Sequence, residues 1–595
     1  MTTAPPPRPP VDPRLALPRP TVGNPQPVPR PALVRPPAEP WAWERRWPGA
    51  TGTVRPVVLG AVAVAATVAA SVVPLDRPGL GWLVAALAGA AALGTAAVAP
   101  PRSGSATSTP TRPEAAPADA APPAPLGTTA TATPPASAGA ATPMPAAEQT
   151  PAAVGVPEKS GTTTGAGGAV RPGATGASGR AVRLVWAVAT VALVAVGTVR
   201  AAGWLFTLCF LAAVGTASLA VSGGRTPLGM LAAGALPPVA ALRALPWAAR
   251  GLSRSRPDGT GVGRTLVSVA VSAALLLLFG LLFASADAVF ADLVTGALPA
   301  ASPPDVFGWV FRLVLVGGVL LGGAYLLAAP PDLELRAGPA RSVRRLEWVM
   351  PLALLDALFA AFVLVQLAVL FGGSGHVLRT AGLTYAEYAR GGFWQLLTVS
   401  ALTLLVIAGA HRWAPRGTRT DRLLIRVLIG GLTLLSLVVV ASALCRMRVY
   451  IDAYGATRLR LVVATVELWL GLLFVLVGVA TMRLRGDWLP RLVLGAAVVA
   501  LLGLAVVNPD RLIADWNVDR YRRSERLDVD YLAQLSADAV PALDRLPEPM
   551  RSCALREIAG QLPADGWRTG NLGRARARAL LRAEPVTLYC PLPRW

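Results

Sequence analysis

Between Arg183 and Pro509 the chain is a series of apolar blocks about 20 residues long, parted by short turns rich in arginine. A helix of that length matches a hydrocarbon core of roughly 30 Å. Leu266–Phe283 and Leu461–Met482 are two such blocks. In lipid the backbone must satisfy its own N–H and C=O groups, which leaves helices and closed barrels as the spanning structures. The pattern predicts an all-α, polytopic integral membrane bundle of about eleven spans. Composition agrees: 53% of residues are hydrophobic, 15% are charged and the mean hydropathy is +0.52, whereas a soluble domain carries roughly 25% charged residues.

A formal net charge of +22 and a pI near 11.3 would suggest nucleic acid in a soluble protein. Here the arginines gather beside helix ends on alternate loops, which is the positive-inside pattern. The partners expected are therefore membrane lipid and other envelope proteins, and no nucleic acid. Lys159 is the only lysine; with the heavy use of Ala, Gly and Pro this reads as a GC-rich genome, so the choice of arginine over lysine carries no functional meaning here.

Five regions follow. Residues 1–55 form a Pro/Arg-rich tail, expected to be disordered and cytoplasmic, with no secretory h-region before Pro40 and an aromatic-basic cluster of Trp41, Trp43, Arg45, Arg46 and Trp47 at its end. Residues 56–100 hold a hairpin of two spans, 56–74 and 79–99. Residues 101–180, built of Ala, Thr, Pro, Gly and Ser, have too few large apolar groups to offset the entropy of ordering and read as a linker. Residues 181–507 carry nine further spans, at 182–199, 203–222, 264–284, 306–329, 346–371, 392–411, 422–444, 459–482 and 488–507. Residues 508–595, with mixed charges and apolar residues at helical spacing, read as a small helical tail.

An odd number of spans puts the termini on opposite sides. The arginine distribution places the N-terminus in the cytoplasm and the tail outside a bacterial plasma membrane, where a Cys553–Cys590 disulfide becomes available. Segment 228–249 is apolar but carries Pro237 and Pro238 at its centre; it is expected to be a broken helix lying in the cytoplasmic interface.

Few residues carry chemistry. Asp356 and Glu467 each lie about ten residues, roughly 15 Å, from a helix end, where an ionised carboxylate costs at least about 2.5 kcal/mol. Arg312 and Gln366 are the polar groups available to them inside the bundle. They make either a proton or cation path, or neutral or paired carboxyls that join helices. Arg446, Arg448, Arg458 and Arg460 break the positive-inside rule by falling outside. They suit an anionic lipid or glycan precursor, or an internal pairing with Asp287, Asp292 and Glu387 on the same side. Glu387, in YAEYARGGFWQL, reads as part of a membrane-entry cap, with no second acid at fixed spacing to make it a catalytic acid.

The glycines of GTGVGRT, 259–265, lack the preceding strand and the lysine of a phosphate loop. His376 and His411, the two histidines, fall on opposite faces, so no metal site is expected. No catalytic residue and no cofactor is assigned. The string SADAV occurs at 285–289 and 536–540, as expected by chance in so alanine-rich a chain.

Taken in order, SADAVFADL, YAEYARGGFWQLLTV, RMRVYIDAYGATRLRL, NPDRLIADWNVDR and LDVDYLAQLSADAVPAL resemble an actinobacterial multi-spanning membrane family labelled only as domain of unknown function "four-one-seven-three". The resemblance covers about 181–560. It implies an uncharacterised integral membrane protein and transfers no catalytic residue. The first functional reading is a non-enzymatic scaffold or accessory protein of the cell envelope. A transporter or channel using Asp356 and Glu467 is the second, and a membrane enzyme acting on a lipid-linked substrate the third.

Overall fold

The computed structural model describes residues 46–98, 177–254, 303–334, 343–371, 393–586 and Cys590, except Thr51, Arg225 and Pro563, with isolated positions between 272 and 290. The tail before Arg46, the linker, Asp292, His376 and Glu387 lie outside the described residues. The protein is an all-α polytopic membrane bundle, and no strand occurs among the described residues.

The helices are α1 Pro56–Val72, α2 Leu80–Ala97, α3 Ala177–Val199, α4 Gly203–Ser222, α5 Pro227–Arg254, α6 Pro303–Ala328, α7 Arg345–Phe371, α8 Phe393–Trp413, α9 Arg419–Tyr454, α10 Arg458–Arg483 and α11 Leu489–Val507. The tail adds α12 Pro509–Ser524, α13 Val529–Ala533, a 3-10 turn Ala537–Ala539, α14 Val540–Leu543, α15 Met550–Gly560 and α16 Leu572–Ala583. Ten of the described helices are long and apolar enough to cross a membrane, and Pro56–Val72 is a shorter apolar one. Every span expected from the sequence is found as a helix except 264–284, which falls almost wholly outside the described residues.

Contacts between helix ends order the bundle. At the end where the chain enters, Trp47 Nε1 donates to Ala329 O (2.9 Å) and Asp332 N to Arg46 O (3.0 Å), so the start of α1 meets the finish of α6. At the opposite end Arg312 Nε, in the first half of α6, donates to Ala70 O near the finish of α1 (3.1 Å). Helices α7 and α9 run side by side in the same direction, joined by Arg345–Asp421 at one end and Arg446–Gln366 towards the other. The entry end also holds the α8–α9 connection, where Thr418 and Asp421 form a capping box. The far end carries the tail domain, packed around Ile513, Val518, Leu532, Val540, Leu543, Leu555 and Ala577.

Helix α5 departs from this up-and-down order. It is 28 residues long, about 42 Å, yet both of its ends touch the entry end. Thr226 Oγ1 donates to Leu333 O (3.4 Å), just beyond α6, and Gly251 packs against Val54, just before α1. The helix therefore begins and ends at the entry end of the bundle. It is continuous rather than broken, although it contains Pro237, Pro238 and Pro246. Packing explains the difference: Ala233, Ala240, Ala244 and Trp247 are all buried, and apolar burial along a helix offsets the roughly 3 kcal/mol that an interior proline costs. The crossing over α6 is close, because a Cβ on Gly322 would stand 2.7 Å from Ala241 N.

Helix α9 supplies a second departure. The sequence places a span at 422–444 and a separate loop at 446–460, but α9 is one helix of 36 residues. At about 54 Å it outreaches a hydrocarbon core of roughly 30 Å, so the turns bearing Arg446 and Arg448 belong to its protruding end.

Candidate functional site

Helix ends expose N–H and C=O groups that need partners. At the far end of the bundle the tail domain supplies them. Arg568 Nη1 donates to Ser71 O (2.8 Å) at the finish of α1, while Leu80 N and Gly81 N at the start of α2 donate to Gly570 O and Arg568 O. Asp538 Oδ2 accepts from Ala201 N (2.6 Å) and Ala202 N (3.3 Å), capping α4. Asn571 Nδ2 donates to Gly197 O and Arg200 O at the finish of α3. Arg520 Nη2 donates to Ala453 O (2.7 Å) and Asn517 Nδ2 to Ala456 O (2.9 Å) beyond α9. Acids meet helix N-termini and arginines meet C-termini, the sense that the helix dipole favours.

Asp510 is the centre of this junction. Its side chain is 0% exposed. Arg458 grips it with two bonds, Nε to Oδ1 (3.0 Å) and Nη2 to Oδ2 (2.7 Å). Trp204 Nε1 and Ser536 N donate as well, at 3.2 Å and 2.9 Å. Burial pushes this carboxyl up, but the hydrogen bonds and charge of Arg458, with Ser536, carry it below the ordinary carboxylate range. Burial dominates at Asp538, which is held above its ordinary value despite the amides of Ala201 and Ala202. Glycines permit the close fit: a Cβ on Gly573 would collide with Asp538 Oδ1, and one on Gly455, at φ +82°, with Asn517 Oδ1.

The structure thus gives Arg458 an acidic partner in the tail. Asp292 and Glu387, expected in that role, lie outside the described residues, and Asp287 is exposed, its Oδ1 accepting from Phe290 N. Arg460 Nη1 donates to Tyr454 O (3.2 Å) and to Gly455 O, with its guanidinium over the Tyr450 ring. Arg446 Nη2 donates to Gln366 Oε1 (2.5 Å), which joins two of the predicted polar residues. Arg448 is exposed. Three of the four arginines, Arg446, Arg458 and Arg460, therefore have separate partners within the protein.

The intramembrane acids are also apart. Asp356 lies 3.7 Å from where a Cβ of Gly431 would be. Glu467 sits one turn beyond Gly471, which packs against Val440, so the two carboxyls differ in height by about 13 residues of α9, roughly 20 Å. Asp356 Oδ1 and both oxygens of Glu467 are buried with no hydrogen-bond partner among the described residues. Arg312, expected to serve them, is engaged with α1. Cys553 and Cys590 are disulfide-bonded, 1.97 Å apart. Among the described residues no group of three His, Cys, Asp or Glu side chains is placed to hold a metal.

Beside the junction, Arg200, Arg511 and Arg576 line a cavity of about 270 Å³ with Val506, Val507, Asn508, Leu512 and Asp515. Neither this cavity nor the roles of Asp510, Asp538 and Asn571 was read from the sequence. The available signal was an acid directly after a span, in NPDRL, and the second SADAV, whose Asp538 caps α4.

No curated protein and no solved structure matches the chain. The family described as "Domain of unknown function (DUF4153)" matches residues 188–546, more than half of the chain, from α3 through α14. It carries a different number from the family resembled by the quoted strings, and like that one it brings no activity. With a match that runs through the bundle and takes in Asp510 and Asp538, the chain belongs to the DUF4153 family.

Proposed function

We propose that this protein is a non-enzymatic accessory protein of the bacterial cell envelope, in which a membrane bundle holds a rigid helical domain on the extracytoplasmic side. The observation that carries this reading is the closure of Arg458 on Asp510: the charged group best placed for outer-face chemistry is spent on fastening the domain. The orientation rests on the arginines of the entry end and on the Cys553–Cys590 bond, which suits an oxidising compartment. The 20 Å offset between Asp356 and Glu467 speaks against a direct relay, since proton transfer needs groups within hydrogen-bond reach or joined by one water.

The test is complementation of a deletion strain by the full chain carrying Asp356→Asn and Glu467→Gln together, with proton and sodium flux measured for the same protein in vesicles. The accessory reading expects normal envelope growth and no flux above protein-free vesicles. Flux through the wild type that the double variant loses would establish the transporter reading in its place. Correct assembly of the variant is checked by its elution as a single species in detergent.

A further inference from the structure

We propose that the cavity between α3, α11, α12 and α16 is a binding site for a phosphate group, held by Arg200, Arg511 and Arg576. The inference goes beyond the accessory-protein reading and stands whether or not that reading holds.

Three arginines and one aspartate line the cavity, so it carries a net two positive charges. The aspartate is shared: Asp515 is 2.5 Å from Arg545, which does not line the cavity, and makes a longer pair, at 3.7 Å, with Arg511. Arg200 is oriented by neutral acceptors, donating from Nε to Ala505 O (2.6 Å) and from Nη2 to Val506 O (2.9 Å), and no carboxylate is hydrogen-bonded to it, although the charge of Asp538 acts on it from outside the cavity lining. Arg576 is exposed and forms no ion pair among the described residues. Burial holds Arg200 below the ordinary arginine value; the charge of Asp538 opposes this, and the like charges of Arg576 and Arg511 add to it. Converging cations repel one another, and a bound anion converts that repulsion into attraction.

Size and position narrow the anion. About 270 Å³ is far more than the roughly 10–15 Å³ that one water needs. Planar guanidinium groups match the oxygens of phosphate in paired hydrogen bonds. Val506 and Val507, the last residues of the α11 span, form the apolar side of the cavity and are themselves exposed. The site therefore sits where acyl chains give way to headgroups, with arginines on the headgroup side. A phosphate on an anionic lipid meets both halves of this lining; a free phosphate meets only the arginines.

The experiment uses the full chain in nonionic detergent. Native mass spectrometry counts bound dioleoylphosphatidylglycerol against dioleoylphosphatidylcholine, and thermal shift follows inorganic phosphate. Arg576→Gln is the main variant because its exposed side chain caps no helix end; Arg511→Gln and the double variant accompany it. Expected is preferential retention of phosphatidylglycerol, weakened about tenfold or more by each substitution, as for loss of a charge-assisted hydrogen bond, with unfolding temperatures unchanged in the absence of ligand. Retention of the lipid identifies a headgroup source, and a shift with inorganic phosphate alone identifies a soluble one. Binding of neither probe, or binding equal in wild type and Arg576→Gln, overturns the proposal.

Discussion

Asp510 receives four donors in a site closed to water, and a buried pair that loses one partner leaves the other charge uncompensated. Arg458→Glu is therefore expected to lower stability by about 3–5 kcal/mol, seen as an earlier thermal transition and faster proteolysis of the tail. A neutral Asp510→Asn should cost less, since it keeps an acceptor for Trp204 or Ser536. The depressed folded value of Asp510 fixes the sign of its pH dependence. Its contribution is complete above the unfolded carboxylate value near 3.9 and is lost as pH falls through the lower folded value. Asp538, raised by burial, acts oppositely and favours the folded state as pH falls towards its own value. The acid loss of stability below about pH 4 should thus shrink in Asp510→Asn; an identical acid profile in both proteins would show that Asp510 does not set it. At Gly573 even a methyl group meets Asp538, so Gly573→Ala should loosen the α4 cap and destabilise the domain more than alanine substitution at the open Gly566 does.

At the scale of elements, α5 and α9 both show tertiary contacts deciding what an apolar run becomes. A crossing helix and a surface helix differ in depth along their length. Leu231, Leu242 and Leu245 are exposed along α5; spin labels there should share one depth within about 5 Å, whereas a crossing helix would separate Leu231 from Leu245 by about 21 Å at 1.5 Å per residue. Depths spread over that larger range would remove the surface placement. Gly322, where α5 passes closest to α6, is the matching packing test. Gly322→Leu should detach α5 and expose Trp247 to solvent quenchers, because the helix has no room to stay in place.

Across the whole molecule, the helix-end contacts put Arg46 and the tail domain at opposite ends of the bundle. With Cys209→Ala and Cys445→Ser removing the free thiols, Trp567→Cys on the tail domain should react with an impermeant maleimide in intact cells, and Asp487→Cys between α10 and α11 should react only after lysis. The reverse pattern would invert the orientation and place the disulfide and the arginine cavity in the cytoplasm.

The sequence by itself determined the class and nearly every element, because the bilayer imposes a length and a polarity that each span must meet within about 20 local residues. The expected tail 1–55 is not wholly apart from the bundle, because Trp47 and Val54 are buried against α5 and α6. Local pattern also found the disulfide pair and the unusual character of Arg446–Arg460. It could not assign their partners. Arg458 and Asp510 are 52 positions apart and Ala201 and Asp538 are 337 apart, and periodicity carries no information over such distances. Nor could prolines in a row announce a continuous helix, since what keeps α5 intact is burial against α1 and α6 rather than propensity. The arginine cavity is the extreme case. Arg200, Arg511 and Arg576 come from three separate segments, just after α3, in the first turn of α12 and inside α16, and only the docking of the tail onto the bundle brings their charges together.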